Sequence, residues 1–345
     1  MTASRMKCIH QMIERGMIQC ITVPEKKMGK GRVTIRRRTP DLRLEETKQH
    51  RHLLKIFDTF SSVQNNTPAY YCGFDPTADS LHLGHMTLLS VLLSLAKNGF
   101  PVIALIGGVT AKLGDPEGKD ENRVLISHQQ LEKNSIALQE QITNIFQRYA
   151  DKHNIDSSSF SVLNNKEWYS TMTLDQYTDS IASEFKLVDM FQRAVVKSRL
   201  EGKDRDMRFT EFVYQTFQSY DWLYLYKHYG CSIQVGGHDQ LGNIEDGYDF
   251  VWRSLHQLPT LAGVTVPLVV TEDGQKLGKT ATNVVWLDQS KASSMSLEQY
   301  LAGISRTDLI SLSLKLTNHS IAELQNTSQS GILEMILEEI MPLLT

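Results

Sequence analysis

The stretch "AYYCGFDPTADSLHLGHMTLLSVLLSLAKNGFPVIALIGG", Ala69 to Gly108, places a helical run between two short apolar runs. The outer runs, AYYCGF and PVIALIGG, predict buried strands. His82 to Lys97 between them predicts a helix that ends at Asn98-Gly99. A strand, a helix and a second strand in this order predict a unit with two parallel strands. Because ligands of such sheets bind beyond the carboxyl ends of the strands, we expect a site where this helix begins.

Outward from this unit, the chain continues to alternate strands and helices. "FSVLNN", "SIQVGG" and "VPLVV" predict further strands, and Gln129–Tyr149 and Phe212–Tyr229 predict helices. Residues 69–288 therefore predict one α/β domain with a doubly wound parallel sheet. Residues 1–68 predict an N-terminal helix followed by a basic insert, and residues 289–345 predict a small helical domain.

The composition is that of an ordinary globular protein. The 345 residues carry a net charge of −3, so the molecule as a whole has no strong field toward nucleic acid or an anionic membrane. No apolar run reaches the ~20 residues that a membrane-spanning helix needs. The four cysteines have no zinc-binding spacing, which favours a reducing compartment and no metal site; they are Cys8, Cys20, Cys72 and Cys231.

The N-terminal stretch "MTASRMKCIHQMIERGMIQC" mixes basic and spaced apolar residues. This mixture is compatible with a targeting segment or with the first helix of the fold, and we favour the folded helix because Glu14 is unusual in a transit peptide. The following "KKMGKGRVTIRRR", Lys26 to Arg38, has seven basic residues and no acidic one. Such a run is most often a solvated loop.

The start of the central helix has the chemistry of an anion site. Asp79 or Ser80 is expected to cap it, which leaves backbone N–H groups and the helix dipole directed at a ligand. His82 and His85 share a helix face and can donate to phosphate oxygens, and Gly84 would let a flat base approach the backbone. The pair alone is equally typical of surface histidines or half of a metal site.

A second phosphate-binding candidate lies in "DGQKLGKTATN", Asp273 to Asn283. Lys276 and Lys279, three residues apart and followed by Thr280, form a basic loop suited to a polyphosphate whose charge changes during reaction. Basic glycine-containing loops are common on surfaces. The combination of this loop with the histidine pair on one α/β scaffold is much more specific.

Two further stretches carry polar groups at the expected site. In "IQVGGHDQLGNI" a strand runs into glycines followed by Asp239, and an acid at the carboxyl end of a strand suits ribose hydroxyls. In "FTEFVYQTFQSYDW", Tyr214, Gln218 and Asp221 recur at helical spacing and share one face. Tyr214 alone would be typical of core packing, but the amide and the carboxylate need polar partners.

Five stretches together resemble the tyrosyl-tRNA synthetases, a family of class I aminoacyl-tRNA synthetases. They are "YYCGFDPTADSLHLGH", "GGVTAKLGDPEGK", "FTEFVYQTFQSYDW", "QVGGHDQLGNI" and "KLGKT". The last two are most similar to the mitochondrial form. The resemblance implies a Rossmann-like catalytic domain at 69–288, a helical anticodon-binding domain and a homodimer. It also implies L-tyrosine, ATP with Mg²⁺, and tRNA(Tyr) as substrates, no tightly bound cofactor, and the mitochondrial matrix as location, with the cytoplasm as the alternative.

The resemblance also implies roles for single residues. Tyr71 and Asp221 would bind the phenolic hydroxyl of tyrosine. The α-amino group would be held by Asp115, Tyr214 and Gln218, with Gln234 beside them. Gln240 would lie near the reacting carboxylate, and Asp75, Gly237 and Asp239 near the ribose of ATP. The phosphates would be held by Thr77, His82, His85, Lys276, Lys279 and Thr280, with Gly84 against the base.

The sequence departs from the family pattern in several places. Leu83 replaces isoleucine, a change that conserves volume. His238 stands where serine is common, and it could tune ATP binding with pH or point outward. Residues 288–345 carry seven acidic and three basic side chains, which is poor for RNA contacts. We therefore expect the basic stretch Lys26–Arg38 to contact the tRNA backbone.

Two other functions share parts of this pattern. A tryptophanyl-type synthetase or a small-molecule nucleotidyltransferase would have the same histidine and lysine motifs, but Tyr71 with Asp221 favours a phenol. A non-catalytic RNA-binding descendant of a synthetase is the second alternative. The intact histidine and lysine motifs argue against lost catalysis.

Overall fold

The sheet of this α/β protein has the predicted parallel arrangement. The computed structural model describes residues 2–22, 67–117, 126–201, 207–255, 261–267, 284–288, 290–291 and 296–344. The strands are β1 Cys20–Thr22, β2 Ala69–Phe74, β3 Val102–Ile106, β4 Phe160–Asn164, β5 Cys231–Gly237 and β6 Ala262–Val266. They are ordered β1-β6-β5-β2-β3-β4, and all neighbours are parallel except β1 with β6.

The helices follow the strands as the apolar pattern predicts. Within the described residues they are α1 Thr2–Glu14, α2 Leu83–Lys97, α3 Thr110–Leu113, α4 His128–His153, α5 Lys166–Tyr169, α6 Leu174–Ser180, α7 Leu187–Phe191, α8 Ala194–Glu201, α9 Phe209–Tyr229, α10 Leu241–Leu255, α11 Leu297–Gly303, α12 Arg306–Leu316, α13 Ile321–Gln325 and α14 Gln329–Leu344. Short 3₁₀ turns lie at Ser157–Ser159, Ala182–Glu184 and His238–Gln240.

Helices cover both faces of the sheet, as the doubly wound arrangement requires. On one face, α2 and α4 bury apolar side chains such as Leu89 and Ile142 in a core that continues into α12 and α14. On the other face, α9 and α10 form a second core around Trp222, Tyr248 and Phe250. The carboxyl ends of β2, β3 and β5 remain accessible between these two layers, and they line a cavity.

The N-terminal segment belongs to this fold. The expected folded helix is confirmed, because α1 buries Cys8, Ile9 and Met12 in the first core. After it, β1 adds an antiparallel edge strand to the sheet, and the Tyr248 hydroxyl lies 2.9 Å from Thr22 Oγ1. A strand of three residues has no periodicity to recognise, so the sequence did not reveal it.

Two local predictions are wrong. The N-cap of α2 is His82, and neither Asp79 nor Ser80 caps the helix: Asp79 pairs with Lys291, and Ser80 Oγ donates to the Leu81 carbonyl. The strand expected at 266–270 lies earlier, at Ala262–Val266, and residues 268–270 lie outside the described part. Pro267, which has no N–H to donate to a ladder, follows its last residue.

None of the helices in the described residues combines the length and the apolar character needed to cross a membrane. The basic stretch Lys26–Arg38 and the loop residues Lys276, Lys279 and Thr280 lie outside the described residues.

Candidate active site

A cavity of about 290 Å³ lies at the carboxyl ends of β2, β3 and β5. Such a size is at the lower limit of small-molecule sites. Every predicted site residue that the structure describes lines it: Tyr71, Asp75, Thr77, His82, Gly84, His85, Asp115, Tyr214, Gln218, Asp221, Gln234, Gly237, Asp239 and Gln240. These residues come from four separate stretches of sequence, and the fold brings them together.

Asp221 of α9 and Tyr71 of β2 are buried in the cavity wall, and we call the part of the cavity that they line its closed end. The two carboxylate oxygens of Asp221 accept hydrogen bonds from Trp168 Nε1 at 2.9 Å and Asn165 Nδ2 at 3.1 Å. Burial raises the pKa of Asp221 to about 7, although these donors oppose the shift. Tyr71 lies within electrostatic reach of Asp221, and burial raises its pKa well above 10, so its hydroxyl stays protonated.

Three polar atoms of cavity-lining side chains are buried without a hydrogen-bond partner among the described residues. They are Tyr71 Oη, Gln218 Oε1 and Gln234 Oε1. An unsatisfied buried polar atom costs about 1–3 kcal/mol, so natural proteins rarely keep several of them in one place. A polar ligand in the cavity would satisfy them.

Asp75 lies in the middle of the cavity wall, at the end of β2. Its carboxylate accepts from Thr110 Oγ1 at 2.8 Å and from the Tyr214 hydroxyl at 3.1 Å. The Asn165 amide donates to Thr110 Oγ1 at 3.2 Å as well as to Asp221, so one network joins the two carboxylates. The expected ribose role of Asp75 stays a prediction.

Asp115 faces the same cavity from the turn after α3. Gln240 Nε2 donates to its Oδ2 at 2.6 Å, and Asn243 Nδ2 lies 3.4 Å from its Oδ1. The backbone N–H of Glu117 donates to Oδ1 at 3.0 Å. These donors leave the carboxylate as an acceptor, the form that would attract an ammonium group.

The two histidines stand at the N-terminus of α2. Their rings are stacked with centroids 3.7 Å apart. The backbone N–H of His82 donates to His85 Nδ1 at 3.3 Å, so a neutral His85 carries its proton on Nε2 and can donate there. A Cβ at position 84 would lie 3.0 Å from the His82 ring, which gives Gly84 a structural reason besides the expected contact with a base.

The segment Val284–Leu287 binds directly to the start of α2 that carries His82 and His85, which we call the histidine turn. Leu83 N donates to the Val285 carbonyl at 3.0 Å and Leu287 N to the Leu81 carbonyl at 2.8 Å, which pairs His82 with Trp286. Val266 and Pro267, which precede residues 268–283 in the sequence, also line the cavity. The described residues on both sides of segment 268–283, which contains Lys276 and Lys279, therefore lie beside the cavity.

His238 is not among the described residues that line the cavity, and its Nδ1 lies 3.4 Å from Thr265 Oγ1 on β6. This position favours the outward orientation of the two expected ones. Among the described residues, no group of three or more His, Cys, Asp or Glu side chains could hold a metal ion.

Several residues that shape this site were missed by the sequence analysis. Thr110, Asn165, Trp168, Arg193 and Asn243 contact predicted site residues or their partners. The one available signal was the position of Asn165 as the last residue of the predicted strand FSVLNN, because polar residues at the carboxyl ends of parallel strands reach the ligand edge of the sheet.

Comparison with known proteins agrees with this geometry. Residues 64–341 match the family model for "tRNA synthetases class I (W and Y)". The chain is 38% identical over 236 residues to the mitochondrial tyrosine–tRNA ligase of Drosophila melanogaster, covering 67% of this chain and 50% of the relative. It is 36% identical over 304 residues to the tyrosine–tRNA ligase of Mycoplasma mycoides, covering 85% and 70%.

The fold is similar to that of a C-terminally truncated Aspergillus nidulans mitochondrial tyrosyl-tRNA synthetase, with a TM-score of 0.75, 25% identity, and coverage of 96% of this chain and 89% of that one. The chain spans about half the length of the mitochondrial relatives that it matches in sequence.

Proposed function

The chain belongs to the class I tRNA synthetases for tryptophan and tyrosine, and we propose that it activates L-tyrosine with ATP and transfers it to tRNA(Tyr). The observation that carries the choice of amino acid is the closed end of the cavity. There the unpaired Tyr71 hydroxyl and the Asp221 carboxylate lie together. A phenol can accept from Tyr71 and donate to Asp221 at the same time, whereas an indole N–H can only donate.

The remaining polar groups suit the other end of an amino acid. Asp115, Tyr214 and Gln218 line the same cavity, where they would hold the ammonium group. Gln240 would contact the reacting carboxylate, and Gln234 would support the ring. Burial of the ammonium against the Asp115 carboxylate gives the site its selectivity for an α-amino acid.

Activation then requires positioning and charge stabilisation, without removal of a proton. The tyrosine carboxylate, already ionised at neutral pH, attacks the α-phosphorus of ATP, and pyrophosphate leaves. His82 and His85 at the N-terminus of α2, with Thr77, would stabilise the charge that grows on the phosphate oxygens. We assign the same role to Lys276, Lys279 and Thr280, since the described residues that flank segment 268–283 lie beside this site.

The nucleoside of ATP would lie at the ends of β2 and β5. Asp75, Gly237 and Asp239 line that side of the cavity and would contact the ribose, with Gly84 close to the base. Mg²⁺ would arrive with ATP, held by phosphate oxygens. In the second step the terminal ribose hydroxyl of the tRNA attacks the tyrosyl carbonyl carbon, and AMP leaves.

We further propose that the protein acts as a homodimer. Leu187, Val188 and Phe191 on α7 and Phe209 at the start of α9 are large apolar residues exposed by 47% to 76%. The Phe191 ring packs on Phe212, one turn after Phe209, so the four side chains form one surface, which we call the α7–α9 face. A contiguous exposed apolar face marks an interaction site, and a second copy would cover it.

We propose the mitochondrial matrix as the location, since several relatives are mitochondrial tyrosine–tRNA ligases; the bacterial relatives leave the cytoplasm as the alternative.

The basic stretch Lys26–Arg38 would contact the tRNA backbone. Neutralising Arg36, Arg37 and Arg38 together should raise the KM for tRNA and reduce its salt dependence. An unchanged KM and an unchanged salt dependence would exclude tRNA contacts by this stretch.

The test of the proposed function is a two-step assay on the full chain. Tyrosine and ATP should give tyrosyl-adenylate and pyrophosphate, and addition of tRNA(Tyr) transcripts should give tyrosyl-tRNA. Comparison of mitochondrial with cytosolic transcripts would test the proposed location. Absence of adenylate with any amino acid would favour a non-catalytic RNA-binding protein.

A further inference from the structure

Arg193, between α7 and α8, joins three elements that carry the site. Its side chain is only 10% exposed. The guanidinium donates to Gln215 Oε1 on α9 at 2.7 Å, to Asn243 Oδ1 on α10 at 2.8 Å and to Glu117 Oε1, two residues after Asp115, at 2.9 Å. It also lies 3.3 Å from Asp246 Oδ2.

These contacts fix the direction of a chain of hydrogen bonds. A guanidinium can only donate, so Asn243 must present its oxygen to Arg193 and its NH₂ group to the cavity. That NH₂ group lies 3.0 Å from Gln240 Oε1 and 3.4 Å from Asp115 Oδ1. Gln240 in turn accepts with its oxygen and donates with its nitrogen, which lies 2.6 Å from Asp115 Oδ2.

We propose that Arg193 is a positioning residue that sets the orientation of the Asn243 and Gln240 amides and thereby holds Asp115 as the acceptor of the substrate ammonium group. This inference rests on the proposed function, because it assigns the ammonium group to Asp115. Arg193 touches none of the reacting atoms in this arrangement. Its effect passes through two amides that could otherwise turn over and present an oxygen to the carboxylate.

The packing around the guanidinium offers a second way to disturb it. A Cβ at Gly242 would lie 2.8 Å from Arg193 Nη2 and 3.3 Å from Glu117 Oε1. Gly242 lies in α10, where alanine is favoured over glycine by about 1 kcal/mol. This preference offsets part of the cost of displacing the guanidinium, which keeps its charge in Gly242→Ala.

The test compares two competitive inhibitors of tyrosine-dependent ATP–pyrophosphate exchange. Tyramine carries the phenol and the ammonium group, and 3-(4-hydroxyphenyl)propionate carries the phenol and the carboxylate. In Arg193→Met the inhibition constant of tyramine should rise about tenfold, the effect of losing a charge-assisted hydrogen bond. That of the propionate should stay within about twofold. Gly242→Ala should also raise the ratio of the tyramine constant to the propionate constant. In Arg193→Lys this ratio should be closer to the wild-type value than in Arg193→Met.

Arg199→Met is the matched control, because Arg199 is a buried arginine paired with Glu211. It should lower stability and leave the ratio of the two constants unchanged. Equal weakening of both inhibitors in Arg193→Met and Gly242→Ala, or an unchanged ratio in both, would overturn the inference. A wild-type protein that binds neither inhibitor and shows no exchange with tyrosine would instead overturn the proposed function.

Discussion

Asp221 determines how the site should respond to pH. Burial raises its pKa to about 7, and its ionised form is the one that accepts a phenolic proton. We expect the affinity for tyrosine to fall about five- to tenfold between pH 8 and pH 6, since the ionised fraction falls from about nine-tenths to about one-tenth. Isothermal titration at several pH values measures this. Asp221→Asn should bind tyrosine more weakly and lose the pH dependence.

The stability of the ligand-free protein should change with pH in the opposite sense. The folded-state pKa of Asp221 lies above its ordinary value of 3.8, so its contribution to stability is fully present below that value and is lost as the pH rises through about 7. Chemical unfolding of the wild type and of Asp221→Asn at pH 5 and pH 8 would measure this difference. A difference between the two proteins that does not change with pH would contradict the raised pKa.

The Tyr71 hydroxyl makes a separate prediction, because it has no partner among the described residues. Tyr71→Phe should leave the free energy of unfolding unchanged or raise it by up to about 1 kcal/mol, while tyrosine binds about tenfold more weakly. Tyr248→Phe is the matched control. Its buried hydroxyl bonds Thr22, so its loss should cost about 1 kcal/mol of stability and leave tyrosine binding unchanged. A loss of stability in Tyr71→Phe with unchanged tyrosine binding would place the phenol site elsewhere.

At the scale of the element, the segment Val284–Leu287 packs against the histidine turn at the start of α2. Trp286 is paired with His82, and the Lys291 ammonium lies 4.9 Å from the Trp286 ring while it also pairs with Asp79. This arrangement holds residues 284–287 against the N-terminus of α2. The geometry of the proposed phosphate site should therefore depend on Trp286.

Trp286→Ala should lower kcat for pyrophosphate exchange about ten- to 100-fold, because small displacements of charge-stabilising groups are costly. The KM for tyrosine should stay within about twofold, since the proposed phenol-binding residues Tyr71 and Asp221 lie on β2 and α9. Trp286→Phe keeps a ring at this position and should be close to the wild type. A raised KM for tyrosine with an unchanged kcat would argue against this coupling.

The elements also show what the sequence could reveal. The strands and helices with clear apolar periodicity, such as β2 and α2, lie where the pattern predicts them. The cap of α2 was mispredicted because Asp79 and Ser80 are used in contacts with residues more than 200 positions away in sequence. Arg193 and Trp168 carry no local motif, and only the folded chain brings them beside Asp115 and Asp221.

At the scale of the whole molecule, the α7–α9 face should hold two copies together. Leu187→Asp with Val188→Asp should convert the proposed dimer to a monomer, since two charges would be buried in an apolar interface. Sedimentation equilibrium measures the mass. Leu174→Asp, at an exposed leucine on α6, is the control and should remain dimeric. A wild-type protein that is monomeric at micromolar concentration would contradict the assignment of this face.

The central claim is that the closed end of the cavity selects a phenol, and ATP–pyrophosphate exchange with tyrosine, tryptophan and phenylalanine tests it directly. Tyrosine alone should support rapid exchange. Phenylalanine would leave Tyr71 and Asp221 unpaired, and tyrosyl-tRNA synthetases are the standard example of this discrimination, at about 10⁵-fold. A preference for tryptophan, or comparable kcat/KM for tyrosine and phenylalanine, would contradict the account.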